Sequence, residues 1–454
     1  MNSSPIEQVF SRMQEWDSQP AIYWNGQTLN FGQFLQSVGD WITRLEQDGI
    51  KAGAVCSIYG DFSPQTCALI FALMKIKAII VPLTSDVASE MQNLLQVAGA
   101  EFIYRFDKSD KWKLEKLSLG KTPDLVAEFR NRSRPGLIVF TSGSTGKPKG
   151  ILHDCEQVME KFLVPRKSWK TVLFLLMDHF GGFNTFLSSF AYGGTAVCPE
   201  ERTPESVAKV ISESKANLLP TTPTFLNLMI AGKHYAKHNL SSIELITYGT
   251  EMMTPATLKN VAEIFPKATL KQTYGMSELG VLQSKSEDKN SLWVKVGGPG
   301  FQIKVIDNIL WVKSSANMIG YLNAPQPFDE DGWLCTGDEV EVQGEYIRFK
   351  GRKSEIINVG GKKVFPTEVE NVILECENIK DVTVYAATHP LMGQVVNAKV
   401  TTIHPEDSRA LAERLRKFCN ERLAKYKVPI RFIATSSEEE HHNSRYKKDR
   451  NKNV

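Results

Sequence analysis

The chain has little of what marks several large protein classes. No uninterrupted apolar run approaches the ~20 residues that a membrane-crossing helix requires, so no membrane span is expected. The net charge is only +3 over 454 residues, which argues against a nucleic-acid binder held by broad electrostatics. The seven cysteines (Cys56, Cys67, Cys155, Cys198, Cys335, Cys376, Cys419) are odd in number, scattered and never spaced as CxxC. That pattern excludes a disulfide framework and a zinc site, and reads as reduced thiols in a cytoplasmic protein. The opening residues, MNSSPIEQVFSRMQEW, lack the basic-then-apolar order of a secretory leader. What remains is a composition typical of globular proteins, too long for one hydrophobic core, so two or three domains are expected.

Short apolar runs alternate with helical patterns through the first two-thirds of the chain, the signature of an α/β fold. VCSIY (55–59), AIIVP (78–82), GLIVF (136–140) and TVLFL (171–175) read as buried strands, with helices over 64–75 and 204–214. Near Gly351 the character changes. EYIRFK (345–350) alternates apolar and polar like an exposed antiparallel strand, and a Gly-Arg-Lys-Ser run (351–354) breaks it. A pattern of strand, helix, strand, strand, helix, strand follows. Val369, Val372, Ile373 and Cys376 mark its first helix, and Leu411, Leu415, Phe418 and Leu423 its second. The expected organisation is a large α/β domain of mixed sheets and helices over 1–351 and a small α+β domain over 352–454. By composition the last residues, SSEEEHHNSRYKKDRNKNV (436–454), read as a disordered tail.

The strongest chemical signal is TSGSTGKPKG (141–150), directly after an apolar strand. Gly143, Gly146 and Gly150 free the backbone for turns closed to other residues. Bare amides, the hydroxyls of Thr141, Ser142, Ser144 and Thr145, and the ammonium groups of Lys147 and Lys149 suit phosphate oxygens. A Walker A loop is excluded, because only two residues separate Gly143 from Gly146 and Pro148 follows Lys147. A flexible surface linker fits poorly after a buried strand.

This loop resembles the [ST]SG[ST]TGxPKG signature of the acyl-adenylate-forming enzymes, the group of acyl-CoA synthetases, peptide-synthetase adenylation domains and firefly luciferase. The family's remaining motifs follow in order. QTYGMSE (272–278) resembles YGxTE, with Ser277 in place of threonine, and DGWLCTGD (331–338) resembles DGWxxTGD. GRKSEIINVGG (351–361) with VFPTEVE (364–370) resembles GRxxDxIKxxGxxVxPxEIE. The terminal TxxGKIxR motif is matched by YKKDR (446–450), with Tyr446 at the glycine position, Lys447 in the catalytic place and Lys448 as the fallback. Ser354 stands at the hinge position, Glu355 where aspartate is usual and Asn358 where lysine is common.

The resemblance implies that the 141–149 loop holds the β- and γ-phosphates of ATP and that Glu278 holds Mg2+. Gly249, Thr250, Glu251 and Tyr274 would frame the adenine, and Thr273, Gly275, Met276 and Ser277 would belong to the same nucleotide site. Asp338 and Arg352 would hold the ribose, and Lys447 would reach the substrate carboxylate and the α-phosphate. It also implies a mobile C-terminal domain, and a phosphopantetheine thiol passing the strand near Gly361. The thiol acceptor is CoA or a carrier protein. A nucleotide-binding homologue that has lost activity is the alternative from another class.

The segment 176–184 fits the FHxGG form of acyl-CoA synthetases better than the FDxS of amino-acid-activating domains, placing His179 beside the acyl carboxylate. The second pocket segment, LPTTPTF (219–225), carries no charge. A buried ammonium without a carboxylate is costly, so the acid is expected to be uncharged apart from its carboxylate.

Overall fold

The computed structural model describes residues 3–118, 120–141, 148–288, 291–390, 392–435, 441, 442, 448 and 450. Val55–Tyr59 lies between the parallel strands Ile79–Leu83 and Phe102–Phe106, and Gly136–Thr141 pairs on the far side of Ile79–Leu83. These strands belong to a seven-stranded sheet that continues through Lys149–Asp154 to Gly320–Tyr321 at one edge. A second seven-stranded sheet is ordered Thr269–Gln272, Leu245–Tyr248, Leu218–Thr221, Lys170–Val172, Thr195–Cys198, Pro20–Trp24, Gln27–Asn30. Side chains alternate across each strand and both faces are covered, which is why the strands read as continuous apolar runs. Leu137 and Val139 face a core shared by the two sheets, while Ile138 and Phe140 face an outer one. In the other sheet Ala196 and Cys198 face the shared core and Val197 the opposite side.

The layer between the sheets is filled by helices. Pro64–Lys75 starts with proline in its first turn and a Ser63–Thr66 capping box, and buries 10 of its 12 residues. Each fully buried Leu, Ile or Phe there contributes roughly 1.5–3 kcal/mol. Phe180–Ala191 runs in the same layer, with Phe186 and Phe190 packed on Phe71 at 5.3 and 5.2 Å between ring centres. That packing fixes the start of the helix, and with it His179.

A six-stranded antiparallel sheet follows, ordered Gln283–Ser286, Val294–Gly297, Tyr346–Arg352, Leu334–Gln343, Ile309–Ser314, Phe301–Ile306. After the short turn Lys353–Glu355, a separate five-stranded sheet with the helices Pro366–Leu374 and Ser408–Asn420 carries its own core. No helix among the described residues is long and apolar enough to cross a membrane.

Three local expectations change. The strand expected over 171–175 pairs only as Lys170–Val172, because Arg202 takes the carbonyls of Leu173 and Phe174 and pairs with Asp61. Cys376 and Leu423 lie beyond the ends of their helices and pack into the small core from the following turns.

The third correction concerns the tail, whose described residues are tied down. His441 is fully buried, its ring bridging Thr383 at 3.0 Å, Thr401 at 2.8 Å and Thr435 at 2.9 Å. Lys448 pairs with the buried Asp381, and Arg450 with Glu370 at 2.9 Å and Glu355 at 3.3 Å. Composition registers charge but not the acids waiting on another element.

Candidate active site

The ends of the glycine-rich loop are held by an antiparallel pair, with Thr141 opposite Lys149. Ser142, Gly143, Ser144, Thr145, Gly146 and Lys147 lie outside the described residues. Asn323 clamps the loop's exit, donating to the Pro148 carbonyl at 2.9 Å and accepting from the Gly150 amide at 3.0 Å. Tyr321, two residues earlier, donates its hydroxyl to Glu278 at 2.7 Å, and the Lys149 ammonium stands 5.0 Å from the centre of the Tyr321 ring. The loop and the Glu278 carboxylate are therefore joined through one tyrosine. Burial, then Glu278, pushes the Tyr321 phenol well above its ordinary value, so it remains a donor.

Glu278 supplies hard carboxylate oxygen, and the Asn317 amide oxygen, buried without a hydrogen-bond partner, lies one residue before Met318, whose amide bonds the Glu278 carbonyl at 2.9 Å. No group of three or more metal-ligating side chains occurs among the described residues. The Glu278 carboxylate and the Asn317 amide oxygen are the hard oxygen donors that Mg2+ takes, commonly one or two carboxylates together with water and substrate phosphates.

A second set closes on Asp338. The Tyr274 hydroxyl donates to one carboxylate oxygen at 2.7 Å, and Arg352 Nε donates to the other at 3.1 Å. Asp338 and Arg352 sit opposite each other on paired strands, so the sheet register sets this contact. The Tyr274 ring stacks on Phe349 with 4.7 Å between centres and 22° between planes. Gly275 needs its bareness, since a Cβ there would stand 2.7 Å from the Gly280 carbonyl oxygen. The tight Gly275–Met276 and Gly280–Val281 pairing this allows places Ser277 and Glu278 at its turn.

Gly249, Thr250 and Glu251 follow the strand Leu245–Tyr248. A Cβ on Gly249 would meet Thr273 Oγ1 at 2.5 Å, so this backbone pair is closely apposed. The Glu251 carboxylate accepts from the Thr224 amide at 3.2 Å and the Lys448 amide at 2.7 Å. It thus ties the terminal segment to the large domain, a use that the adenine-framing expectation did not include. Lys447 lies outside the described residues. The neighbouring Lys448 ammonium is consumed by Asp381, whose carboxyl stays below its ordinary pKa because Lys448 and His441 outweigh its burial. Gly360 and Gly361 form a hairpin turn with φ of +54° and +83°, and a Cβ on Gly361 would meet nothing within 4 Å. Positive φ alone accounts for glycine at 361, so a bulky substitution there strains the turn whether or not a ligand passes it.

These sets come from sequence-distant motifs. Residues 9–322 match the AMP-binding enzyme family, and residues 368–444 match the AMP-binding enzyme C-terminal domain. The chain belongs to the AMP-binding enzyme family. Among its relatives, a 2-succinylbenzoate–CoA ligase of Listeria monocytogenes is 26% identical, with 91% of each chain covered. A medium/long-chain-fatty-acid–[acyl-carrier-protein] ligase of Mycobacterium tuberculosis is 23% identical, covering 85% of this chain and 82% of that one. The anthranilate CoA ligase AuaEII, solved with anthranoyl-AMP, superposes with a TM-score of 0.84 at 18% identity, covering 98% of this chain and 95% of that one. The o-succinylbenzoate CoA synthetase of Bacillus subtilis gives 0.76 at 20% identity, covering 99% and 98%. The fold is that of adenylate-forming enzymes, and the chain is an AMP-forming ligase of the acid–thiol class.

The segment expected beside the acyl group opens the helix Phe180–Ala191. His179 is its N-cap, accepting from the Gly181 amide at 3.3 Å through Nδ1. Asp178 is buried and accepts from Thr84 at 2.8 Å. The reading of the motifs missed Asn323, Tyr321, Phe349 and His153. Tyr321 and Asn323 alternate around one short strand, a polar pattern that a search for anchors of the loop would have found. His153 is buried, and its ring lies 4.6 Å from that of Phe180. Burial pushes its pKa from 6.5 to about 4, with Lys161 adding to the shift and the Ser277 backbone opposing it. His441 is likewise pushed down to about 4, mainly by burial, against the pull of Asp381.

Both histidines are depressed in the fold, so their contribution to stability is complete above pH 6.5 and is lost as pH falls towards 4. At pH 5 the expected loss relative to pH 7 is on the order of 2 kcal/mol for each. Denaturant midpoints at the two pH values test this, with His153→Gln and His441→Gln each flattening the difference. Unchanged pH slopes in both variants would mean that the rings are charged in the folded protein.

Proposed function

We propose that the chain joins a carboxylic acid to AMP with release of pyrophosphate and then passes the acyl group to a pantetheine thiol. The observation that carries this reading is the continuity of two sets: Lys149–Tyr321–Glu278 and, four residues before Glu278, Tyr274 on Asp338 and Arg352. The reaction brings two anions together, so charge neutralisation and alignment are what the protein must supply. The 141–149 loop takes the β- and γ-phosphates. Glu278 would hold Mg2+, which supplies charge neutralisation at the phosphates when bound. Asp338 accepts the ribose hydroxyls while Tyr274 and Arg352 hold its orientation, and the Gly249–Thr250 backbone lies along the base. His179 stands beside the acyl carboxylate, and Lys447 approaches the carboxylate and the α-phosphate.

The split of the chain at 351/352, with a hinge at Ser354, belongs to the same proposal. Rotation there would withdraw Lys447 and open a thiol passage beside Gly361. The relatives' names divide between CoA and carrier-protein ligases, and free CoA is the acceptor adopted here. All seven cysteines are free thiols, as a cytoplasmic setting expects.

Mixing the protein with ATP, Mg2+ and a panel of acids should release pyrophosphate for some of them. Adding CoA or holo-carrier protein then identifies the acceptor. ATP binding without pyrophosphate from any acid would leave a nucleotide-binding homologue that lacks the chemistry.

A further inference from the structure

The terminal segment is held in two ways. Within the small domain, His441 bonds Thr383, Thr401 and Thr435, the Lys448 ammonium pairs with Asp381, and Arg450 pairs with Glu355 and Glu370. The Lys448 amide instead reaches across to the large domain, donating at 2.7 Å to Oε1 of Glu251. Oε2 of the same carboxylate accepts at 3.2 Å from the Thr224 amide, in the first turn of the helix Pro223–Ala231. Glu251 itself lies between the strand Leu245–Tyr248 and the helix Pro255–Ile264. Both helices lie against the small domain. Pro223–Ala231 meets the strand Ile379–His389, which carries Asp381, and Pro255–Ile264 meets the helix Pro366–Leu374, which carries Glu370. Glu251 therefore stands at the seam between the domains.

An ionised carboxylate accepts at both oxygens and donates at neither. Here each oxygen meets one backbone N–H, and the two donors belong to different domains. The positive end of the helix Pro223–Ala231 favours the charge. Burial raises the carboxyl above its ordinary value, against the pull of the Lys448 ammonium and of the two amides. Moving the small domain away would break the Lys448 bond and leave a desolvated oxygen without a donor, which is costly. The bond thus favours the arrangement seen here. The nitrogen it holds is the one that joins Lys448 to Lys447.

We propose that Glu251 is a positioning residue, a latch that holds the small domain and the Lys447–Lys448 peptide bond in place for acyl-AMP formation and must release them before thiol transfer. This rests on the ligase reading above and deepens it. It gives Glu251 a use other than framing the adenine, since both of its oxygens are engaged by protein amides.

The test follows Glu251→Ala and Glu251→Gln in the full chain. It reads calorimetric ATP binding, single-turnover acyl-AMP formation, thioester formation from supplied acyl-AMP, and hydrogen exchange at the Lys448 and Thr224 amides. In Glu251→Ala, exchange at Lys448 should quicken and acyl-AMP formation should fall about ten-fold or more, the order of one charge-assisted hydrogen bond. ATP affinity should stay unchanged, and thioester formation should be kept or rise. Glu251→Gln keeps the shape but offers one acceptor oxygen to two amides, so it carries the test where the alanine variant fails to fold. In it, acyl-AMP formation should fall if exchange quickens at Lys448 and hold if it quickens at Thr224 alone. ATP binding that weakens in step with acyl-AMP formation would make Glu251 a nucleotide residue. Equal loss in both half-reactions, with a lower melting temperature, would make it a helix cap alone. Either result, or acyl-AMP formation that does not track exchange at Lys448, would overturn the proposal. Should the unmodified chain release no pyrophosphate with any acid, the ligase reading falls. Quickened Lys448 exchange in the variants would then leave the tie between the domains standing, and unchanged exchange would remove that as well.

Discussion

Asp338→Asn is expected to weaken ATP binding about 100-fold while leaving the fold nearly intact. A carboxylate that accepts both hydroxyls of a ribose makes charge-assisted hydrogen bonds worth roughly 1.5–3 kcal/mol each, and about 3 kcal/mol in total corresponds to that factor. Without nucleotide the same carboxylate already serves Tyr274 and Arg352, each through a different oxygen. The asparagine keeps the shape and one acceptor oxygen but loses the charge facing Arg352. Some stability therefore goes with it, and the control is Tyr274→Phe, which keeps the stack on Phe349 and removes one contact to Asp338. Titration calorimetry with ATP and a thermal melt on both variants separate the cases. A lower melting temperature with unchanged ATP affinity in Asp338→Asn would make Asp338 a structural residue of the strand Leu334–Gln343 and nothing more.

Much of this architecture is legible in the sequence because several signals agree. The helix Pro64–Lys75 is announced by Ser63 and Pro64, and the strand Val55–Tyr59 by an apolar run bounded by turns. The alternating stretch before Gly351 is the strand Tyr346–Arg352, half of whose side chains face solvent. Of the motif residues, Tyr274, Asp338 and Arg352 meet in the fold. What the sequence could not display was which polar groups meet across long separations. Asn323 reaches the loop at Pro148 and Gly150, and Tyr321 reaches Glu278, through the pairing of Gly320–Tyr321 with Lys149–Asp154. Lys448 and Arg450 of the terminal segment escape a composition count for the same reason, because they find Asp381, Glu370 and Glu355 on the small domain.

That terminal segment gives the other large expected effect, a contrast between adjacent lysines. Lys448→Ala should destabilise the protein by about 3–5 kcal/mol, the usual result of removing one partner from a buried ion pair. Its partner Asp381 is 1% exposed and would be left buried without its cation, with only the Val382 amide donating to it at 2.8 Å and His441 nearby. The Lys448 amide, which donates to Glu251 at 2.7 Å, survives the substitution, so the tie to the large domain persists where the segment stays folded. Lys447→Ala should behave in the opposite way. Acyl-AMP formation is expected to fall about 10²–10³-fold, the order found when one preorganised charge donor is removed from a reacting centre. Stability should scarcely change, and thioester formation from supplied acyl-AMP should continue, since that step belongs to the rotated arrangement. Single-turnover measurement of each half-reaction, with denaturant melts beside it, reads both variants. If Lys447→Ala adenylates normally while a stably folded Lys448→Ala does not, the ammonium on Asp381 must leave its partner during the reaction. The catalytic role then passes to Lys448, and the ion pair becomes the resting place of a moving lysine.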